Sequence, residues 1–303
     1  MSARGTWLVV GAGGMLGQDV TALLAREGIA HVALGRGELD LTDGSAVADA
    51  LTRLAPSAVV NCAAWTAVDD AETREADALR VNGAAVETLA AACAQRPDTA
   101  LLHVSTDYVF AGDARSPYAE ATVPAPRTAY GRTKLAGEQA VFAALPERGY
   151  VVRTAWLYGA GGANFVRTMI RLEGVKDTLD VVDDQRGQPT WSADLAGQLL
   201  GLGRAALAGT AAPGAYHGTS GGEGTWCDLA RETFRLLGAD PARVRATTSD
   251  AFVRPAPRPA YSVLGHERWR AAGLDPIGDW RGRLAAAFPA LLAAERGLTA
   301  VRG

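Results

Sequence analysis

The spacing with the clearest chemical potential is Tyr130 and Lys134, four residues apart in Thr128-Ala129-Tyr130-Gly131-Arg132-Thr133-Lys134. On a helix that interval places both side chains on one face. A free phenol titrates near pH ~10, so at neutral pH it is an acid and a poor base. A neighbouring ammonium is expected to stabilise the phenolate, lower its pKa and ease proton donation to a developing alkoxide. Ser105-Thr106 end an apolar run, where a hydroxyl can hydrogen-bond an oxygen that gains charge. Thr106, Tyr130 and Lys134 are therefore the candidate catalytic residues, and the chemistry is reduction of a carbonyl. A Tyr-x-x-x-Lys pair alone arises readily on any surface helix, so the elements around it must decide.

Such a reduction needs a hydride source. Gly11-Ala12-Gly13-Gly14-Met15-Leu16-Gly17 follows an apolar tetrad and opens a helical pattern. Glycines there permit a tight turn and close approach of a pyrophosphate, which then faces the helix N-terminus. The strand-before, helix-after context separates this from a plain glycine turn. At the end of the second strand an acidic residue would hold a ribose 2′-hydroxyl, and a basic one a 2′-phosphate. The chain reads Leu34-Gly35-Arg36-Gly37 there, so Arg36 favours NADPH, while Glu38 keeps NADH open.

The surrounding pattern alternates short apolar runs with Ala/Leu-rich segments. It predicts strands at Trp7–Val10, His31–Leu34, Ala58–Asn61, 100–105 and 150–153. Helices are predicted at Met15–Arg26, from a cap at Asp43 or Ser45 to Leu54, at 71–95 as one long helix, and at 128–144. The strands lack polar alternation, as expected for a parallel sheet covered on both faces. The fold class is thus α/β, a Rossmann-type doubly wound parallel sheet. The second half is less regular, with strands at 178–182 and 215–217, helices at 192–202 and Trp226–Leu237, and an extended Pro-rich stretch at 247–258. Residues 1–155 are read as the dinucleotide-binding domain and 156–303 mainly as a smaller substrate-binding lobe, with some later segments returning to the sheet.

Composition excludes several classes. The 303 residues carry a net charge of -3 without a Lys/Arg cluster, so a nucleic-acid footprint is missing. The apolar runs are strand-length and far too short to span a bilayer. Three separated cysteines and four scattered histidines argue against a disulfide scaffold and against a metal site. With no signal-peptide pattern at the N-terminus, a reducing, cytoplasmic setting is expected.

Together these features resemble the extended short-chain dehydrogenase/reductases, and more narrowly the dTDP-4-dehydrorhamnose reductase family, over nearly the whole chain. The narrowing segments are Val60-Asn61-Cys62-Ala63-Ala64-Trp65-Thr66-Ala67-Val68-Asp69, Ser105-Thr106-Asp107-Tyr108-Val109-Phe110 and Asp184-Gln185-Arg186-Gly187-Gln188-Pro189-Thr190. Tyr130 to Glu138, Arg153 to Tyr158 and Arg258-Pro259-Ala260-Tyr261-Ser262 continue the match.

The resemblance implies NADPH-dependent reduction of the C4 ketone of dTDP-4-dehydro-L-rhamnose, with Thr106, Tyr130 and Lys134 as the triad. It implies that Gly11, Gly14, Met15, Leu16 and Gly17 form the pyrophosphate loop, and that Arg36, Asp40 and Leu41 lie about the adenosine. Ala63, Ala64, Asn82 and Ser105, with Tyr130 and Lys134, complete the cofactor side. Thr66, Thr106, Asp107, Tyr108, Trp156, Asn164 and Arg258 fall where contacts to a nucleotide sugar lie. Plainer roles stand beside four of these: a satisfied helix turn for Asn82, packing for Trp156, a loop cap for Asp107 and surface cover for Arg258. Trp65 departs from the Tyr or His more usual there. No metal is carried over, and a homodimer is left open. Two rival readings are another dTDP-4-keto-6-deoxysugar ketoreductase and an NADP-binding regulatory subunit without turnover.

Overall fold

Strand β1 (Trp7–Val10) is wholly buried, and its alternate residues enter different cores. Trp7 and Val9 pack with α1 (Met15–Arg26), whereas Leu8 and Val10 pack toward α2 (Gly44–Leu54). That two-residue period is what a strand covered on both faces requires. Asp43 caps α2, its carboxylate accepting from the amides of Ser45 and Ala46. The computed structural model describes residues 5–302.

The next elements are β2 (His31–Leu34) and β3 (Ala58–Asn61), then the short helices α3 (Val68–Thr73) and α4 (Glu75–Leu79). A π turn at Arg80–Ala84 leads into α5 (Ala85–Ala94), β4 (Ala100–Thr106), α6 (Ala129–Ala144) and β5 (Gly149–Thr154). The single helix expected at 71–95 is thus corrected. It breaks at Arg74 and widens at 80–84, because Asn82 is drawn out to bond the backbone of Trp65. Single π turns inside helices recur at functional sites.

The second half contributes β6 (Leu157–Tyr158), α7 (Phe165–Glu173), β7 (Leu179–Val182), β8 (Arg186–Gly187) and β9 (Thr190–Trp191). It continues through α8 (Ser192–Leu207), β10 (Gly214–His217), β11 (Gly224–Thr225) and α9 (Trp226–Leu237). The last elements are β12 (Val244–Thr247), α10 (Glu267–Ala271) and α11 (Trp280–Arg302).

Six strands form one sheet in the order β10-β5-β4-β3-β1-β2, with every neighbouring pair parallel. Helices α1 and α8 cover one face, and α2, α5 and α6 the other. The pairs β6/β9, β7/β12 and β8/β11 lie apart from this sheet. Around them α7, α9 and α11 enclose the side chains of Tyr158, Trp280, Leu284 and Phe234. Among the described residues no helix is long and apolar enough to cross a membrane.

β1 is followed in sequence by β2 on one side of it and by β3 on the other, so the order reverses there. Ligands in such sheets bind outside the carboxyl ends of the strands at that reversal. Gly11, Ala63 and Thr106 all sit at those ends.

Candidate active site

Gly11 adopts φ +75°, and a Cβ on it would lie 2.5 Å from the Ala63 amide nitrogen. Only glycine lets the loop turn there and press against the segment after β3. Gly17 likewise lets α1 close onto the Gly11 carbonyl. The N-cap of α1, Gly14, makes no side-chain hydrogen bond, and the first turn holds no acidic residue. A Cβ on Gly13 would meet nothing within 4 Å. Backbone amides thus face open space at a positive helix terminus, which suits a pyrophosphate. Leu16 is buried in the core while Met15 stays partly exposed, so the loop offers backbone to a ligand.

Beyond β2, Arg36 is exposed, and the Glu38 carboxylate accepts from the Gly35 amide at 2.7 Å. The amide and hydroxyl of Thr42, with the charge of Arg36, hold Asp40 below the usual carboxylate range. Leu41 is buried beside it. Ala63 and Ala64 follow β3, and the Ala63 amide donates to Asn61 Oδ1 at 3.0 Å.

Three hydrogen bonds occupy the Asn82 side chain. Its Oδ1 accepts from the Trp65 amide at 2.8 Å, and its Nδ2 donates to the Trp65 carbonyl and to Thr133 Oγ1, both at 3.1 Å. The strand-three loop is thereby pinned to α6, the helix that carries Tyr130 and Lys134. Trp65 itself packs with Tyr130 and Tyr108, and the Arg74 guanidinium lies 4.7 Å from the centre of its ring. Thr66 is exposed.

Helix α6 begins at the site because Thr128 caps it, accepting from the Gly131 amide at 3.0 Å. Gly131 packs against the Tyr108 carbonyl too closely for any Cβ, which draws the start of α6 onto the Asp107–Val109 turn. The Tyr130 hydroxyl is thereby brought beside the Thr106 hydroxyl. Thr106 in turn donates to Asp107 Oδ1 at 2.9 Å and accepts from the Tyr108 amide at 3.2 Å. Tyr108 meets the Tyr130 ring edge-on, with centroids 5.6 Å apart.

Burial governs the charges. It pushes the Tyr130 phenol above its ordinary range, against the opposing pull of the Thr106 hydroxyl. The expectation of a lowered phenol pKa is therefore corrected, since desolvation outweighs any help from Lys134. Burial lowers the Lys134 ammonium to about 8, opposed by Glu138. It also pushes the Asp107 carboxyl up to about 6, opposed by the nearby Ser262 and Thr106 hydroxyls. The Lys134 ammonium donates to the Val104 carbonyl at 2.7 Å.

Several contributors lay outside the sequence-derived set. Glu138 is fully buried and takes Arg153 Nη2 at 2.7 Å and Ser105 Oγ at 2.6 Å, so the Ser105 hydroxyl is directed to it. It follows Lys134 by four residues, and that shared helix face was the signal available. His103, two residues before Ser105, reaches Lys134.

The substrate-side candidates divide. Arg258 pairs with Asp69 at 2.8 Å, and the Asp69 carboxylate also accepts from the Ala256 amide, which ties the Pro-rich segment to the loop after β3. Burial raises Asp69, but Arg258, the Ala256 amide and Arg254 outweigh it and hold the group low. Arg258 and Tyr108 line one cavity together with Gly112, Arg127 and Pro259. Trp156 takes the left-handed φ of 48° and stacks on Trp226 at 3.7 Å, with Gly187 against its ring. Asn164 caps α7, accepting from the Arg167 amide at 3.1 Å and donating to the Gly159 carbonyl at 2.7 Å. Its side chain holds the 159–164 loop beside Met15, whose sulfur it also contacts at 3.8 Å.

A family model described as the RmlD substrate binding domain matches residues 5–292. The chain belongs to this family. A relative from Streptomyces griseus named dTDP-4-dehydrorhamnose reductase is 61% identical over 288 residues, covering 95% of this chain and 94% of the relative. A Streptomyces niveus relative named dTDP-4-keto-6-deoxy-D-glucose reductase is 55% identical over 289 residues, covering 95% and 98%. Among solved structures, the dTDP-4-dehydrorhamnose reductase of Bacillus anthracis in complex with NADP aligns with TM-score 0.89 at 34% identity. That alignment covers 94% of this chain and 99% of the other.

Proposed function

We propose that this chain catalyses NADPH-dependent reduction of the C4 ketone of dTDP-4-dehydro-L-rhamnose to dTDP-L-rhamnose. The observation that carries the chemistry is the buried Tyr130 hydroxyl, set beside Thr106 at the carboxyl edge of the sheet. The named relatives supply the substrate class.

The backbone of Gly11, Gly14, Met15, Leu16 and Gly17 holds the pyrophosphate, Arg36 the 2′-phosphate, and Asp40 and Leu41 the adenosine side. Ala63, Ala64 and Ser105 bound the nicotinamide side, and Asn82 fixes the loop between them. When bound, NADPH supplies the hydride. Tyr130 is the general acid, kept protonated by burial until the substrate oxygen gains charge. Thr106 turns its hydroxyl from Asp107 to that oxygen. Lys134 keeps a positive charge beneath the site and stabilises the negative charge that develops on Tyr130 as its proton leaves. Thr66, Asp107, Tyr108 and Trp156 bound the sugar, with Arg258 at the nucleotide side. Asn164 contributes through the loop it holds. The three cysteines are free thiols, which suits a cytoplasmic setting.

A second reading, reduction of dTDP-4-keto-6-deoxy-D-glucose, is favoured by the name of the Streptomyces niveus relative. The two are separated by supplying each ketosugar with NADPH and following the loss of NADPH absorbance. The first reading predicts the higher kcat/KM for the L-rhamno ketone. A higher value for the D-gluco ketone would replace it with the second.

A further inference from the structure

His103 lies on β4, fully buried, between Asn61 and Lys134. Asn61 Oδ1 is claimed by the Ala63 amide at 3.0 Å, which fixes the orientation of its carboxamide. Its Nδ2 therefore presents N–H to His103 Nδ1 at 3.1 Å. That ring nitrogen must accept, so in the neutral imidazole the proton resides on Nε2. Burial and the Lys134 charge hold His103 well below its ordinary pKa, so the ring is neutral. Its Nε2 lies 3.4 Å from Lys134 Nζ.

This contact has a direction. An ammonium has no lone pair and can only donate, so Nε2–H facing it sets donor against donor. A neutral amine can accept from that N–H while still donating to the Val104 carbonyl at 2.7 Å. The groups facing Lys134 are His103 and the Val104 carbonyl from β4, Cys62 from the segment after β3, and Glu138 from α6. Glu138 favours the ammonium, but its carboxylate is shared with Arg153 and Ser105. The Cys62 thiol is pushed up to about 12 by burial, so it contributes no charge near neutrality.

We propose that His103, its tautomer locked by Asn61, is a positioning residue that favours the neutral amine of Lys134 and so sets the upper pH limit of turnover. The proposal rests on the reading of Lys134 as the charge that supports Tyr130. Two readouts keep its failure distinct from failure of that reading. In the first, ¹⁵N-histidine labelling and long-range ¹H–¹⁵N correlation report the His103 tautomer without any turnover. The expected result is a neutral Nε2–H ring in the wild type near pH 7. In Asn61→Asp, a carboxylate accepts from Nδ1–H, so an Nδ1–H ring is expected.

In the second readout, the pH profile of kcat/KM is compared among the wild type, His103→Leu and Asn61→Asp. Both variants remove the N–H that faces Lys134. The basic limb should move upward by roughly one pH unit in His103→Leu, and at least as far in Asn61→Asp, where a lone pair replaces the N–H. An Nδ1–H or charged ring in the wild type overturns the proposal. So does a basic limb that stays in place in both variants while only the rate falls, because that is what loss of packing alone produces.

Discussion

Lys134 Nζ donates to the carbonyl oxygen of Val104 at 2.7 Å, so the ammonium one turn beyond Tyr130 is anchored to the sheet. The phenol is governed instead by burial, which keeps it protonated at neutral pH against the opposing pull of Thr106. Tyr130→Phe removes the only proton on that ring that can be transferred. We expect kcat to fall by roughly two to four orders of magnitude, the usual worth of a general acid. NADPH affinity, measured by fluorescence titration, should stay within a few-fold. Near-normal turnover would assign the acid elsewhere.

Lys134 gives two pH dependences with opposite directions. Its folded pKa is lowered to about 8 from the ordinary 10.5, mainly by burial. Turnover that needs the ammonium should decline as pH rises through about 8. Stability moves the other way. Between those two values the unfolded chain holds the proton and the folded one does not, so this group makes folding more favourable as pH rises. Lys134→Met should abolish that contribution, as read from the pH dependence of Tm against the wild type.

The Glu138–Arg153 pair is a structural bet placed beneath the site. Both side chains are almost wholly buried, and their closest contact is 2.7 Å. Glu138→Gln leaves Arg153 charged and without its counter-ion, a class of change that costs about 3–5 kcal/mol. Chemical denaturation should show a loss of that order. Adding Arg153→Met should recover part of it, since the stranded charge is then gone. Equal destabilisation in the single and double variants would show that the charge is not the cause.

Arg36 is exposed beyond β2 and shares its turn with Glu38 and Asp40. Arg36→Asp should exchange attraction for repulsion toward a 2′-phosphate and offer a partner to a 2′-hydroxyl. The ratio of kcat/KM for NADPH over NADH should fall by about ten-fold or more, the worth of one lost charge-assisted hydrogen bond. An unchanged ratio would remove Arg36 from cofactor selection.

Much of the sheet was legible because its strands carry apolar residues on both faces, as Trp7/Val9 and Leu8/Val10 do. The glycine loop and the Tyr130/Lys134 helix could be read for a related reason: backbone clearance and helical spacing are written directly in residue order. The π turn at Arg80–Ala84 was hidden, because one extra residue in a turn leaves the helical pattern almost intact. α11 was missed, as Pro289 stands inside it. Charge is visible in sequence but burial is not, so the phenol's pKa was expected in the wrong direction and the Glu138–Arg153 pair passed unnoticed. Asn164 reads as a polar site residue, yet both ends of its amide are used by α7 and the 159–164 loop.

The central claim is hydride delivery to C4 of a dTDP-linked 4-keto-6-deoxy-L-sugar with protonation by Tyr130. The most direct measurement supplies NADPH deuterated at the transferred C4 position, with dTDP-4-dehydro-L-rhamnose, and reads the product by NMR. The account predicts dTDP-L-rhamnose with deuterium at sugar C4, and only trace product from Tyr130→Phe. Consumption of NADPH without deuterium at C4, or a product epimeric at C4, would contradict it.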